Sequence, residues 1–113
     1  MGLDLSILQS TLDFVILKTL SWGPMHGFGI ARWLEETTHE ALTIEEGTLY
    51  PALHRLERRK LIAGEWRLTE NRRRARYYRL TAAGERALHA HATHWSGLVK
   101  AVGQVVRAAD QRA

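Results

Sequence analysis

The stretch Ile44-Glu45-Glu46-Gly47-Thr48-Leu49-Tyr50-Pro51-Ala52-Leu53-His54-Arg55-Leu56-Glu57-Arg58-Arg59 decides the fold. Leu49, Leu53 and Leu56 recur at i, i+4 and i+7, the spacing that lines one face of an α-helix. With these turned inward, Gly47, Pro51, His54, Arg55 and Arg58 fall on the opposite face, and Thr48 and Tyr50 on its flanks. Tyr50 stands about 100° from Leu49 around a 3.6-residue turn, off the buried stripe. Pro51 fits a helix from about Ile44 to Arg59 if it sits in the first turn or so, where a missing N–H has no helical partner.

Downstream of this helix the period changes from helical to two. Ile62, Gly64, Trp66 and Leu68 alternate with Ala63, Glu65, Arg67 and Thr69, the pattern of a strand with one inward face. The polar run Glu70-Asn71-Arg72-Arg73-Arg74 separates it from a second alternating run in which Tyr78 and Leu80 face the core, so the two form a hairpin with a basic tip. Thr81 has the chemistry of a helix N-cap, with Glu85 complementing the dipole of the helix that follows.

Upstream, Leu5, Leu8, Leu12, Val15, Ile16 and Leu20 predict a helix from about Asp4 to Leu20 with one broad buried stripe. Trp22-Gly23-Pro24 ends it. A shorter helix from about His26 to Thr37 buries Ile30, Ala31 and Leu34, with Trp33 off that stripe. Trp22 and Trp66 are expected in the core.

The last segment, about Ala82 to Ala109, spaces Leu88, Trp95 and Val102 by seven, with Leu98, Val99, Val105 and Val106 at the other seam positions. Roughly seven turns of apolar seam at the end of a small domain are best explained by a partner helix from a second copy. Residues 1–81 therefore read as one domain and 82–113 as an appended dimerisation helix. The fold class is mainly α with a small β-hairpin, a winged helix-turn-helix.

Charge placement points to the partner. Ten of the 16 basic residues lie between Arg55 and Arg79 against three acids, a net of +7. The remainder, with six bases and nine acids, carries −3. A basic stretch set in an acidic molecule suits a polyanion, and a helix beside a basic hairpin suits double-stranded DNA. A helix fits the major groove, while flanking basic residues bind phosphates and fix register. Gly47 allows close backbone approach, and Thr48, Tyr50 and His54 offer contacts to bases and sugar-phosphate. Pro51, Arg55 and Arg58 share their face. Arg72, Arg73, Arg74 and Arg76 on the hairpin are expected to track backbone or enter the minor groove. Glu45 and Glu46 oppose a phosphate at the helix start and are expected to point away or to read a base donor.

Other chemistries find little support. There is no cysteine, which excludes disulfides, thiolate metal sites and a cysteine nucleophile, and which suits a reducing compartment. No phosphate-binding glycine loop, no Ser-His-Asp grouping and no paired acids suggest catalysis. His89, His91 and His94 lack an acidic or thiol companion to complete a metal set, and read as polar residues flanking the seam. No cofactor is expected. Acidic Asp4 and Asp13, and the interruption of the apolar run Phe14–Leu20 by Lys18 and Thr19, argue against a signal peptide or membrane span and for a cytoplasmic location. The rival reading is a winged-helix protein-interaction module, for which the basic wing would be incidental.

The run Gly47 through Glu57 followed by Leu61-Ile62, the wing from Trp66 through Arg76-Tyr77-Tyr78-Arg79-Leu80-Thr81 with Gly84, and the turn Gly23-Pro24-Met25-His26-Gly27-Phe28 resemble PadR-family signatures. The likeness covers nearly the whole chain except the last helix, and the short C-terminal region is similar to the subfamily that ends in one helix. The resemblance implies a homodimeric repressor with the third helix and wing on a palindromic operator and the last helix packed or swapped across the dimer. Trp95 in the seam reads first as packing across that interface; in multidrug-sensing relatives, which the short form resembles, aromatic residues there can also hold flat apolar ligands, so the resemblance leaves room for a small apolar or aromatic inducer. Lys60 departs from the family, which usually has Gly at this helix C-cap.

Overall fold

A computed structural model describes residues 3–4 and 9–110. In chain order the elements are β1 (Leu3–Asp4), α1 (Gln9–Leu20), β2 (Met25–His26), α2 (Gly27–Thr37), β3 (Leu42–Thr43), α3 (Glu46–Arg58), β4 (Ile62–Leu68), β5 (Arg74–Leu80) and α4 (Ala82–Asp110). The first helix is shorter than its apolar spacing predicts. Asp4 lies in β1, where Leu3 pairs with Leu42 and Asp4 with Thr43 in parallel, because a strand partner outweighs the weak helical preference of a short terminal segment. Leu5 and Leu8 of the expected stripe lie outside the described residues.

The core is the meeting of three helical stripes. Leu12, Ile16, Leu17 and Leu20 of α1, Ile30 and Leu34 of α2, and Leu49, Ala52, Leu53 and Leu56 of α3 are buried together with Ile62 and Tyr78 of the sheet. Each large side chain here contributes about 1.5–3 kcal/mol by leaving water. The leucine stripe of α3 is wholly interior, so the face with Gly47, Pro51, His54 and Arg58 is exposed. Pro51 stands deeper than the first turn, as the sixth residue of α3. Its nitrogen cannot bond the Gly47 carbonyl, and because both residues are exposed, water can satisfy that oxygen.

Three strands form an antiparallel sheet in the order β2-β5-β4. The hairpin pairs Ile62 with Leu80 at its root and Leu68 with Arg74 near its end. Thr69 closes the tip, with its N–H bonding the Arg73 carbonyl at 2.8 Å and its carbonyl accepting from Arg72 at 2.9 Å. Arg72 takes a left-handed conformation there (φ 59°). Only the root of the hairpin reaches the core. Ile62 is buried, whereas Glu65 to Leu68 are exposed.

That geometry corrects two expectations. Trp66 is 58% exposed, because alternation sets its side of the strand but not its distance from the core. Trp22 is 70% exposed: the N–H groups of Ser21, Trp22 and Gly23 bond the last carbonyls of α1, and this tight exit swings the indole outward. Trp33 is half-buried.

The chain passes from α3 to β4 through Lys60 in the left-handed region (φ 61°), where a glycine would be unstrained. The Thr81 hydroxyl caps α4 by accepting from the Gly84 N–H at 3.0 Å and donates to the Lys60 carbonyl at 2.7 Å. One side chain thus ties the α3 exit to the α4 start. Gly84 lies so close to this junction that a β-carbon would overlap the Leu61 carbonyl oxygen. Backbone cannot yield as a flexible side chain would. Gly84→Ala is therefore expected to cost about 3 kcal/mol, seen as a drop in Tm on the order of 10 °C; a Tm within 2 °C of the parent would refute the close approach.

α4 contains 29 residues and runs roughly 44 Å at 1.5 Å per residue. It stretches the molecule to 59 × 32 × 21 Å, with a radius of gyration of 16.1 Å against roughly 13 Å for a compact domain of this length. Its first half packs on its own domain. Leu88, placed by its spacing in the expected seam, is half-buried against the core of its own domain. The Phe14 ring of α1 stacks on His91 and tilts against Trp95, each at 6.1 Å. Beyond this, Leu98, Val99, Val102, Val105 and Val106 are exposed. No helix among the described residues is long and apolar enough to cross a membrane.

Candidate nucleic-acid interface

α3 and the hairpin face each other across a groove of about 730 Å³. Tyr50 and His54 line it from α3, and Trp66, Arg73, Arg74 and Arg76 from the hairpin; His26, Gly27 and Phe28 at the start of α2 close its end. Sequence reasoning missed His26 and Phe28. Their part in the groove comes from β2, which pairs Met25 with Tyr78 and His26 with Tyr77 and so draws the start of α2 onto the sheet. A two-residue strand leaves no periodic signal; the only trace was their place in the Gly23–Phe28 turn.

At the start of α2, His26 accepts the Gly29 N–H on Nδ1 at 2.9 Å. This cap fixes the ring and leaves the neutral imidazole's proton on Nε2. The ring also meets the edge of Tyr77 at 5.1 Å. Tyr50 is 38% exposed, and its ring lies against Gly27, where a β-carbon would come within 2.7 Å of Cε1. The phenol is therefore held by backbone while its outer edge stays open to the groove.

The expected surface residues divide into two groups. Gly47, Tyr50, Pro51, His54 and Arg58 on α3 are exposed, with Thr48 half-buried, and Arg72, Arg73 and Arg74 are exposed at the end of the hairpin. The Arg74 guanidinium lies 5.1 Å from the centre of the Trp66 ring, a cation–π contact that stiffens it without consuming its charge. Exposed Trp66 thus has a role the strand pattern did not reveal.

Arg55 and Arg76 are half-buried and ion-paired, Arg76 while also lining the groove. Arg55 donates to Asp13 of α1 at 2.9 Å, and Asp13 is buried, with Arg59 at 4.0 Å from its other oxygen. Arg76 donates to Glu57 of α3. Both were expected to face outward with their neighbours, and both have partners distant in sequence that helical or strand spacing does not register. The hydrogen bond that Arg76 donates to Glu57 holds its guanidinium above the ordinary pKa, and burial pushes the Tyr78 phenol up.

His89 and His94 are exposed while His91 stacks on Phe14, and no cluster of three metal-ligating side chains forms among the described residues.

Three packed helices, the third of them paired with a β-hairpin across one basic groove, define a winged helix-turn-helix. Residues 16–90 match the Transcriptional regulator PadR-like family. The chain belongs to that family of transcriptional regulators.

The transcriptional regulator Rv3488 of Mycobacterium tuberculosis is 46% identical over 57 residues, covering 50% of this chain and 52% of its own. A PadR family transcriptional regulator from Eggerthella lenta superimposes with a TM-score of 0.75 at 31% identity, covering 90% of this chain and 87% of the other. A transcriptional regulator from Clostridium thermocellum gives 0.78 at 28% identity, covering 87% and 95%.

Proposed function

We propose that this protein is a homodimeric repressor that binds a roughly palindromic DNA operator, each subunit placing α3 in a major groove and its hairpin alongside. The carrying observation is the shared groove, with the outer face of α3 on one side and exposed Arg73 and Arg74 on the other. Helix and wing can then reach base edges and phosphates of one duplex together. The second copy covers the exposed half of α4. That apolar stripe, Leu98, Val99, Val102, Val105 and Val106, is too continuous for an unpartnered surface. A dimer on two half-sites occludes the promoter, in the cytoplasm where the chromosome lies. Phe14 and Trp95 at the edge of the seam offer aromatic surface to a flat apolar inducer.

Selection of bound sequences from a random duplex library by the purified protein at physiological salt tests this reading. A two-fold-symmetric motif is expected, with affinity of about 10⁻⁸ M or tighter. Weak, salt-sensitive binding with no enriched motif would instead favour a protein-interaction module. On the selected duplex, Tyr50→Ala is expected to lose roughly tenfold or more in affinity while leaving binding to an unrelated duplex unchanged. Equal losses on both would remove Tyr50 from base recognition.

A further inference from the structure

Beyond the Glu65–Tyr77 pair, where β2 ends, the hairpin has no core to fix its direction, since Trp66 to Leu68 on β4 and Arg74 at the start of β5 are exposed. Among the described residues, one salt bridge joins α3 to the hairpin, from the Arg76 Nη2 to Glu57 Oε2. The guanidinium is closely seated. A β-carbon at residue 64 would come within 2.6 Å of its Nε, so the absence of a side chain at Gly64 makes its berth. The centres of the Trp66 and Tyr78 rings lie 5.9 and 6.0 Å from its Cζ. Neither partner of the bridge is more than about a third exposed.

From this we infer that Arg76 is a positioning residue whose link to Glu57 sets the angle between the wing and α3, and that it is not itself a DNA contact. The inference rests on the DNA-binding reading above. From Arg76 to Arg73 the strand runs roughly 10 Å, so a swing of about 15° at the link carries the tip by about 3 Å. That is as long as a hydrogen bond, and enough to separate the tip arginines from phosphates while α3 stays in its groove.

The test uses the full chain and the duplex recovered by library selection, with Glu57→Ala, Arg76→Ala and the double variant titrated over a range of salt. Removing the Glu57 carboxylate takes a negative charge away from a polyanion, so simple electrostatics predicts equal or tighter binding. The positioning role predicts the opposite: Glu57→Ala weakens binding about tenfold, Arg76→Ala does the same, and the double variant loses no more than either.

The salt slope gives the readout that general destabilisation would not move. If the link positions the tip, Glu57→Ala and Arg76→Ala lower it by the same amount, the share of the tip arginines that leave their phosphates; if Arg76 itself touches a phosphate, Arg76→Ala lowers it by about 0.9 more than Glu57→Ala does. Unchanged or tighter binding by Glu57→Ala, additive losses, or a slope lower in Arg76→Ala than in Glu57→Ala each overturn the assignment. Failure of the parent chain to bind any duplex specifically would overturn the DNA-binding reading, and this inference with it. Parent binding with an indifferent Glu57→Ala variant overturns the inference alone.

Discussion

Replacing Arg72, Arg73 and Arg74 together by Ala is expected to weaken binding to any duplex on the order of 100-fold at physiological salt and to reduce the magnitude of its salt slope by about 2.7. The three side chains are exposed at the hairpin end, so their removal leaves the core untouched and the fold intact. Each phosphate neutralised by a cation releases about 0.9 of a condensed counterion, and three such contacts account for both figures. Arg74 lies over Trp66, which lowers the cost of holding it in place for a phosphate. The measurement is affinity at four or more salt concentrations, on the selected duplex and on an unrelated one. Parallel losses on both are the expected result, since charge carries little sequence information; an unchanged slope would put the wing tip off the DNA.

Converting Leu98 and Val102 to Glu is expected to yield a folded monomer that binds the palindromic duplex about 100-fold or more weakly, as bivalent attachment is lost. Both side chains are already exposed in the single chain. Their replacement therefore leaves the buried core intact, and helical content should be retained. Four carboxylates brought into one seam, two from each copy, would have to be desolvated beside one another. Analytical ultracentrifugation gives the assembly state and titration gives the affinity. A variant that remains dimeric would move the interface away from this stripe. A monomer that keeps full affinity would make dimerisation irrelevant to recognition.

Where structure follows local periodicity, it was legible. Leu49, Leu53 and Leu56 fixed both the inward face of α3 and its outward residues, and Thr81 marked the start of α4 through the chemistry of its hydroxyl. Lys60 in a left-handed conformation occupies the position where the family resemblance led one to look for glycine. Depth was less accessible. Trp66 lies on the side of β4 that alternation assigns, but on the part of the ribbon that projects past the core. Leu88 keeps the seven-residue spacing of the seam and yet packs on its own domain, because α1 covers the first half of α4. Arg55 and Arg76 share faces or strands with exposed arginines, and only the folded chain brings each to its carboxylate, 42 and 19 residues away in sequence. Ion pairing of that kind depends on tertiary distance, which composition and spacing do not carry.

Consecutive residues of α1 serve different neighbours: Asp13 grips Arg55 on α3, while Phe14 rests on His91 and Trp95 of α4. A helix is stiff over a single residue, so one cannot be displaced without the other. A tilt of α4 that pushes on Phe14 is therefore expected to carry Asp13, and with it Arg55 of α3, in the same movement.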